Sequence, residues 1–287
     1  MDKTNDIKSQ IEFTTADTSL ERDPVLDIEP QMEIYVSNME EGKALVNVDM
    51  AMINQAPIPR LHWLLGIQLE LNDPDEDGFY SKEEEPKIAE MHGHIVEVMQ
   101  EEGRCRFVGA VTYAGTRMMY FYGLDDNYLA PLVGKLAAEY PDYEFNFMTQ
   151  NDGKWDFYFN ALYPDEQTMA IIRNRYMIQN LVNAGVDIHH DYSVYYFFYF
   201  QDGASRAQAA AQLSALGYEV VDDHMYIDEM EPMSLGLQML AHHNLELLTV
   251  TEKTYECFEI MEQYAGVYDG WELAPAEDLA DSSDKWI

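Results

Sequence analysis

Val194-Tyr195-Tyr196-Phe197-Phe198-Tyr199-Phe200 runs directly into Gln201-Asp202-Gly203 and an alanine-rich stretch that ends at Gly217. Seven consecutive aromatic and β-branched residues suit a pleated, largely buried strand. Asp-Gly then turns the chain into a helix that carries Ala209, Leu213 and Leu216 on one face. Further on, residues 218–221 and 233–240 read as strands. A helix after them aligns Cys257, Met261 and Tyr264 with Val250; Thr251 is placed to cap it and Gly266 to end it. Residues 268–273 form a last strand. The order β-α-β-β-α-β is the ferredoxin-like one, an antiparallel sheet with its helices on one face. Upstream, residues 166–184 read as a helix with Ile171, Ile178, Leu181 and Val182 in one arc and Gly185 as its left-handed cap.

The first half is also α+β, a related sandwich. Short strands are expected near 33–37 and 44–50. Trp63, Leu65, Ile67, Leu69 and Leu71 alternate, the period-2 pattern of a half-buried strand. An acidic loop leads into a helix with Ile88, Met91, Ile95 and Val98 at helical spacing and Gly103 at its end. Residues 104–113 and 116–122 read as a hairpin around Ala114-Gly115. A short helix stops before Pro141, and residues 143–148 and 154–162 alternate around the turn Asn151-Asp152-Gly153. The expected organisation is a polar arm over 1–29, one domain over 30–164, a second over 165–273 and an acidic tail over 274–287.

The 287 residues carry 17 Lys+Arg against 53 Asp+Glu, a net charge of −36. The two halves share it, with net −19 over residues 1–164 and −17 over 165–287. Such a field repels phosphate backbones and anionic bilayers and attracts cations and basic protein surfaces. No apolar run approaches the ~20 residues that span a bilayer, and residues 1–24 lack the apolar core of a signal peptide. With only two cysteines, a disulfide framework is excluded. The chain reads as a cytoplasmic protein with no membrane contact, no direct nucleic-acid binding and no cofactor.

Asp73-Pro74-Asp75-Glu76-Asp77-Gly78, followed by Glu84, satisfies the D-x-D-x-D-G-x5-E spacing of a calcium loop. Asp73, Asp75, Asp77 and Glu84 would supply oxygen ligands around a turn that glycine permits. Ser81 and Glu84 also form an S-x-x-E capping box, and Pro86 suits the first turn of a helix that starts later. The pairs His92/His94, His189-His190 and His242-His243 could gather around metal with Asp191, Asp222 or His224 only through the fold, since their spacing cannot chelate one ion. Cys105 and Cys257 sit on apolar stripes, as structural thiols do. There is no nucleophile elbow and no phosphate loop, so the chain is read as a non-enzyme.

Val267-Tyr268-Asp269-Gly270-Trp271-Glu272 after an amphipathic helix, Gly185-Val186-Asp187 before the aromatic strand, and Leu216-Gly217-Tyr218-Glu219 resemble the regulator of ribonuclease E activity B family over about residues 170–273. The resemblance implies a protein that binds the endoribonuclease of the RNA degradosome and inhibits it without chemistry of its own. It points to Tyr268, Asp269, Gly270 and Trp271 as a partner-binding signature, with the alternative that Gly270 serves a turn, Asp269 accepts backbone N–H bonds and Trp271 packs. The strand with Trp63, the Gly78…Glu84 loop, Phe121-Tyr122 and Trp155 through Tyr163-Pro164 are similar to the family called domain of unknown function 695. The expected function is that of an acidic interaction module regulating a ribonuclease E-type nuclease. The alternative is a calcium-binding module built on the 73–84 loop.

Overall fold

The computed structural model describes residues 24–39, 42–102, 104–124, 126–227 and 232–275. Gly103, most of the polar arm and most of the acidic tail lie outside them. The chain divides into two compact units, Met1–Tyr163 and Pro164–Ile287.

The first unit contains β1 (Met32–Met39), β2 (Gly42–Asp49), β3 (Trp63–Glu70), α1 (Glu85–Glu101), β4 (Arg106–Tyr113), β5 (Thr116–Gly123), α2 (Asp126–Glu139) and β6 (Phe145–Asn151). Its sheet has the order β1-β2-β4-β5-β3-β6, and every neighbouring pair is antiparallel. The β4–β5 hairpin turns on Ala114 (φ 50°) and Gly115 (φ 80°), a left-handed pair whose twist matches the strands it joins. Leu65, Ile67, Leu69 and Leu71 pack with Ile88, Met91 and Ile95 of α1 and Val133 and Leu136 of α2. The half-buried reading of β3 is corrected, because Leu64 enters a second core with Val46, Val48, Trp155 and Tyr158. This strand is covered on both faces.

What covers the second face is also a correction: residues 154–162 are not a strand. The Asp152 carboxylate accepts the N–H groups of Asp156 at 2.9 Å and Phe157 at 3.0 Å, which caps a helical turn that continues as Tyr158–Leu162. Asn151-Asp152-Gly153 therefore starts a helix instead of a hairpin, since a carboxylate satisfies first-turn amides that a strand would pair elsewhere. Trp155 stacks on Tyr122 at 3.9 Å and donates its indole N–H to Leu61 O at 2.8 Å.

A buried ion pair closes this face. Arg106 and Asp49 are 2% and 0% exposed and in direct contact. Arg106 also donates to Ile28 O at 2.7 Å, while Asp49 accepts the N–H groups of Gln31 at 2.9 Å and Ala51 at 3.1 Å. Both charges are thus paired and bonded, as burial requires.

The second unit runs α3 (Glu166–Asn183), β7 (Asp191–Phe200), α4 (Gly203–Ala215), β8 (Glu219–Asp222), β9 (Leu235–Asn244), α5 (Leu247–Gln263) and β10 (Val267–Leu273). The sheet order is β10-β7-β9-β8, antiparallel throughout. Tyr196, Phe198 and Phe200 are buried with Ala209 and Leu213 of α4 and Val250, Cys257, Ile260 and Met261 of α5. Asp202 caps α4 by accepting the N–H groups of Ala204 and Ser205, each at 2.9 Å. Thr251 does not cap α5: that helix begins at Leu247, with Glu246 before it. At its end Ala265 takes the left-handed φ of 50°. Gly266 is needed for close approach, because a Cβ there would lie 2.5 Å from the Phe200 ring. On α3, Ile172 and Ile178 are buried, whereas Val182 of the expected arc is exposed.

Asp49→Ala strands the Arg106 charge and is expected to lower stability by about 3–5 kcal/mol. Urea denaturation followed by near-ultraviolet circular dichroism checks this. The double variant Asp49→Leu/Arg106→Met should recover most of the loss.

Candidate functional site

β10 lies at one edge of its sheet, and it is irregular there. Tyr268 pairs with Phe198 and Gly270 with Phe197, so Asp269 is an extra residue, a β-bulge that re-aims the side chains around it. Gly270 has φ 130°, a conformation that L side chains rarely adopt. Beside the bulge a groove of about 510 Å³ opens between β10 and α3. Its walls are Ala170, Arg173, Asn174 and Met177 from α3 and Phe197 and Tyr199 from β7, with residues 268–272 along the strand.

One hydrogen-bonded chain fixes the groove. The Trp271 indole N–H donates to Asn174 Oδ1 at 2.8 Å, and Asn174 Nδ2 donates to Thr254 Oγ1 at 2.8 Å. Thr254 in turn donates to Val250 O at 2.8 Å, within α5. All three side chains are buried, so the chain ties β10, α3 and α5 together in a low-dielectric seam. Tyr268 is buried as well, and burial pushes its phenol well above the ordinary tyrosine value. Asp269 and Glu272 are exposed and Gly270 is half-buried. The Tyr199 phenol is raised by burial and then by the Asp269 charge, while Arg173, on the same groove, acts on Tyr268 in the opposite sense.

The signature therefore splits into two roles. Tyr268 and Trp271 are scaffold, with their polar and aromatic parts turned into the core, while Asp269 and Gly270 offer surface. Sequence reasoning missed Asn174, Met177, Phe197, Tyr199 and Glu272 as groove residues. Asn174 had a signal: it falls three residues after Ile171 and four before Ile178, a polar residue at an apolar position of its helix.

The other candidates are dispersed. The two oxygens of Glu84 accept the N–H groups of Asn72 at 2.9 Å and Asp73 at 3.0 Å. Asp75 Oδ1 accepts the N–H groups of Asp77 and Phe79, an Asx turn with Gly78 at φ 80° and a bridge between Pro74 and Tyr80. Asp73, Asp75, Asp77 and Glu84 are thus a loop built on its own amides, and the structure does not gather them into a coordination shell. Among the described residues, the one group of three potential ligands within 4.8 Å of one another is Asp222, Asp223 and His224, an acidic turn that carries no further mark of a site. The histidine pairs separate: His189 contacts Glu246 at 2.6 Å and His190 contacts Asp187 at 2.8 Å. His243 contacts the Tyr196 hydroxyl at 2.8 Å and is held below its ordinary pKa chiefly by burial. Cys105 and Cys257 are free, buried thiols whose pKa values burial raises, the opposite of an activated nucleophile.

Residues 32–163 match the family described as Family of unknown function (DUF695), and residues 171–273 match Regulator of ribonuclease activity B. The two resemblances read from the residues thus hold for their respective halves. No curated protein matches the chain in sequence. Among solved structures, an unknown protein from Galdieria sulphuraria is similar at 8% identity and a TM-score of 0.20, over 75% of this chain and 99% of that one. Among the described residues, no helix is long and apolar enough to cross a membrane.

Asn174→Ala removes the acceptor of the Trp271 indole and is expected to destabilise the second unit by about 1–3 kcal/mol. Asp269→Ala, at an exposed position, should change stability by no more than about 0.5 kcal/mol. Urea titrations of the two variants, read by tryptophan fluorescence, measure the contrast.

Proposed function

We propose that this chain is a non-catalytic regulator of RNA processing. In this reading it docks the groove of its second unit, and the acidic surface around it, on a basic face of a ribonuclease E-type endoribonuclease and lowers that enzyme's access to RNA. The match of residues 171–273 to Regulator of ribonuclease activity B carries the reading, and the groove supports it physically. Exposed Asp269 and Glu272 stand beside Phe197 and Tyr199, a combination that holds lysine or arginine side chains by charge-assisted hydrogen bonds and cation–π contact.

The excess of 53 acidic over 17 basic residues would speed encounter with such a partner and weaken binding as salt rises. The β10-β7-β9-β8 order, with β-α-β-β-α-β connectivity, supports a ferredoxin-like reading of the second unit. In that arrangement β10 is an edge strand left beside α3. Inhibition then needs no chemistry on this chain and no cofactor. A cytoplasmic location belongs to the same proposal, because that is where the RNA degradosome works.

The test is binding of the purified full chain to an immobilised ribonuclease E-type nuclease at low and high ionic strength. We expect a dissociation constant that rises at least tenfold with salt. Asp269→Lys/Glu272→Lys, two exposed changes, should weaken binding at low salt by a further tenfold or more. Binding that ignores both salt and charge reversal would remove the groove from the account.

A further inference from the structure

Arg117 sits on β5 in a cross-strand row fixed by four registers: Val36, Leu45, Thr112, Arg117, Leu69. Residues directly opposite one another share a face. Exposure falls steeply along this row, from 53% at Val36 through half-buried Leu45 to 0% at Thr112, 5% at Arg117 and 0% at Leu69. The guanidinium is therefore buried at the inner end of a strip whose outer end is apolar and open.

Among the described residues, every polar neighbour of that guanidinium is neutral. Nη1 donates to Thr112 Oγ1 at 2.7 Å. Nη2 has only long contacts, to Asn47 Oδ1 and to His92 Nδ1 of α1, each at 3.4 Å. Nε has no hydrogen-bond partner among the described residues. His92 is held down to about 4 by burial and then by the Arg117 charge, so at neutral pH it adds no charge. Among the described residues, no carboxylate reaches ion-pair distance of Arg117. Arg106 makes the contrast: it shares an unpartnered Nε, yet it holds Asp49. Arginine does not neutralise by losing its proton, and a buried charge without a counter-charge costs several kcal/mol. A chain with 53 acidic residues has no shortage of carboxylates to place there.

We infer that Arg117, with Asn47, Thr112 and His92, binds the carboxylate of an apolar carboxylic acid whose body lies along Leu45 and Val36. A carboxylate matches the guanidinium fork in a bidentate pair. The single charge is the kind that a strongly acidic protein admits, whereas a doubly charged phosphate meets more repulsion. The open strip supplies apolar contact for the rest of the ligand.

The probe is octanoate, added to the full chain and followed by calorimetry and by the melting temperature, with octanol, acetate and inorganic phosphate in parallel. The inference expects saturable octanoate binding and a rise in melting temperature. Acetate should bind at least tenfold more weakly, octanol and phosphate should give no saturable signal, and Arg117→Met should lose at least tenfold in octanoate affinity. Equal octanoate affinity in wild type and Arg117→Met overturns it, as does phosphate binding without octanoate binding. If Arg117→Met does not fold, the ring resonances of His92 in the wild type decide: octanoate must shift them and octanol must not.

Discussion

A single amide holds the groove of the second unit in place. Asn174 takes the Trp271 indole N–H on one side and gives its own N–H to Thr254 on the other, so β10, α3 and α5 meet through one polar side chain in an apolar seam. In a low-dielectric setting each of these bonds is strong when made and costly when lost. Without it, the polar tie between α3, β10 and α5 is lost, and Asn174 is itself one wall of the groove. The bulge at Asp269 depends on the same seam, because Tyr268 and Trp271 are anchored inward on either side of it and leave Asp269 and Gly270 at the surface.

Charge decides what such a surface can meet. With −36 spread across both halves, the proposed reading takes a basic protein face, and not nucleic acid, as the partner. Regulating an RNA-handling enzyme by covering its basic surface fits that constraint, and it requires of this chain only shape and potential. The first unit follows a different logic, since its two buried arginines lie on opposite faces of one sheet. Arg106 is neutralised within the fold by Asp49, and Arg117 has only neutral polar partners among the described residues.

Much of this architecture is legible in the residues. The aromatic run at 194–200, the Asp202-Gly203 turn and the glycines at 185 and 217 mark elements by local chemistry that tertiary structure did not override. Ala114-Gly115 does the same for its hairpin. Some misreadings have a local cause, a polar side chain with more than one backbone group within reach; others, such as β3 covered on both faces and Val182 left exposed, come from packing that periodicity does not show. Asp152 reads as part of a turn but caps a helix. Thr251 reads as a cap but lies inside α5. The groove itself was half legible: Tyr268 to Trp271 stood out as a string. Phe197 and Tyr199 were hidden in a run of aromatics, because alternation tells which residues share a face but not which face stays open.

The central claim is that the chain acts on a nuclease by contact and not by chemistry. The most direct measurement is the rate at which a purified ribonuclease E-type enzyme cleaves a defined RNA as the full chain is added. The account predicts a saturable fall in rate at low ionic strength that fades as salt is raised, with no RNA cleavage by the chain alone. An unchanged rate at saturating protein, or turnover of the RNA without the nuclease, would contradict it.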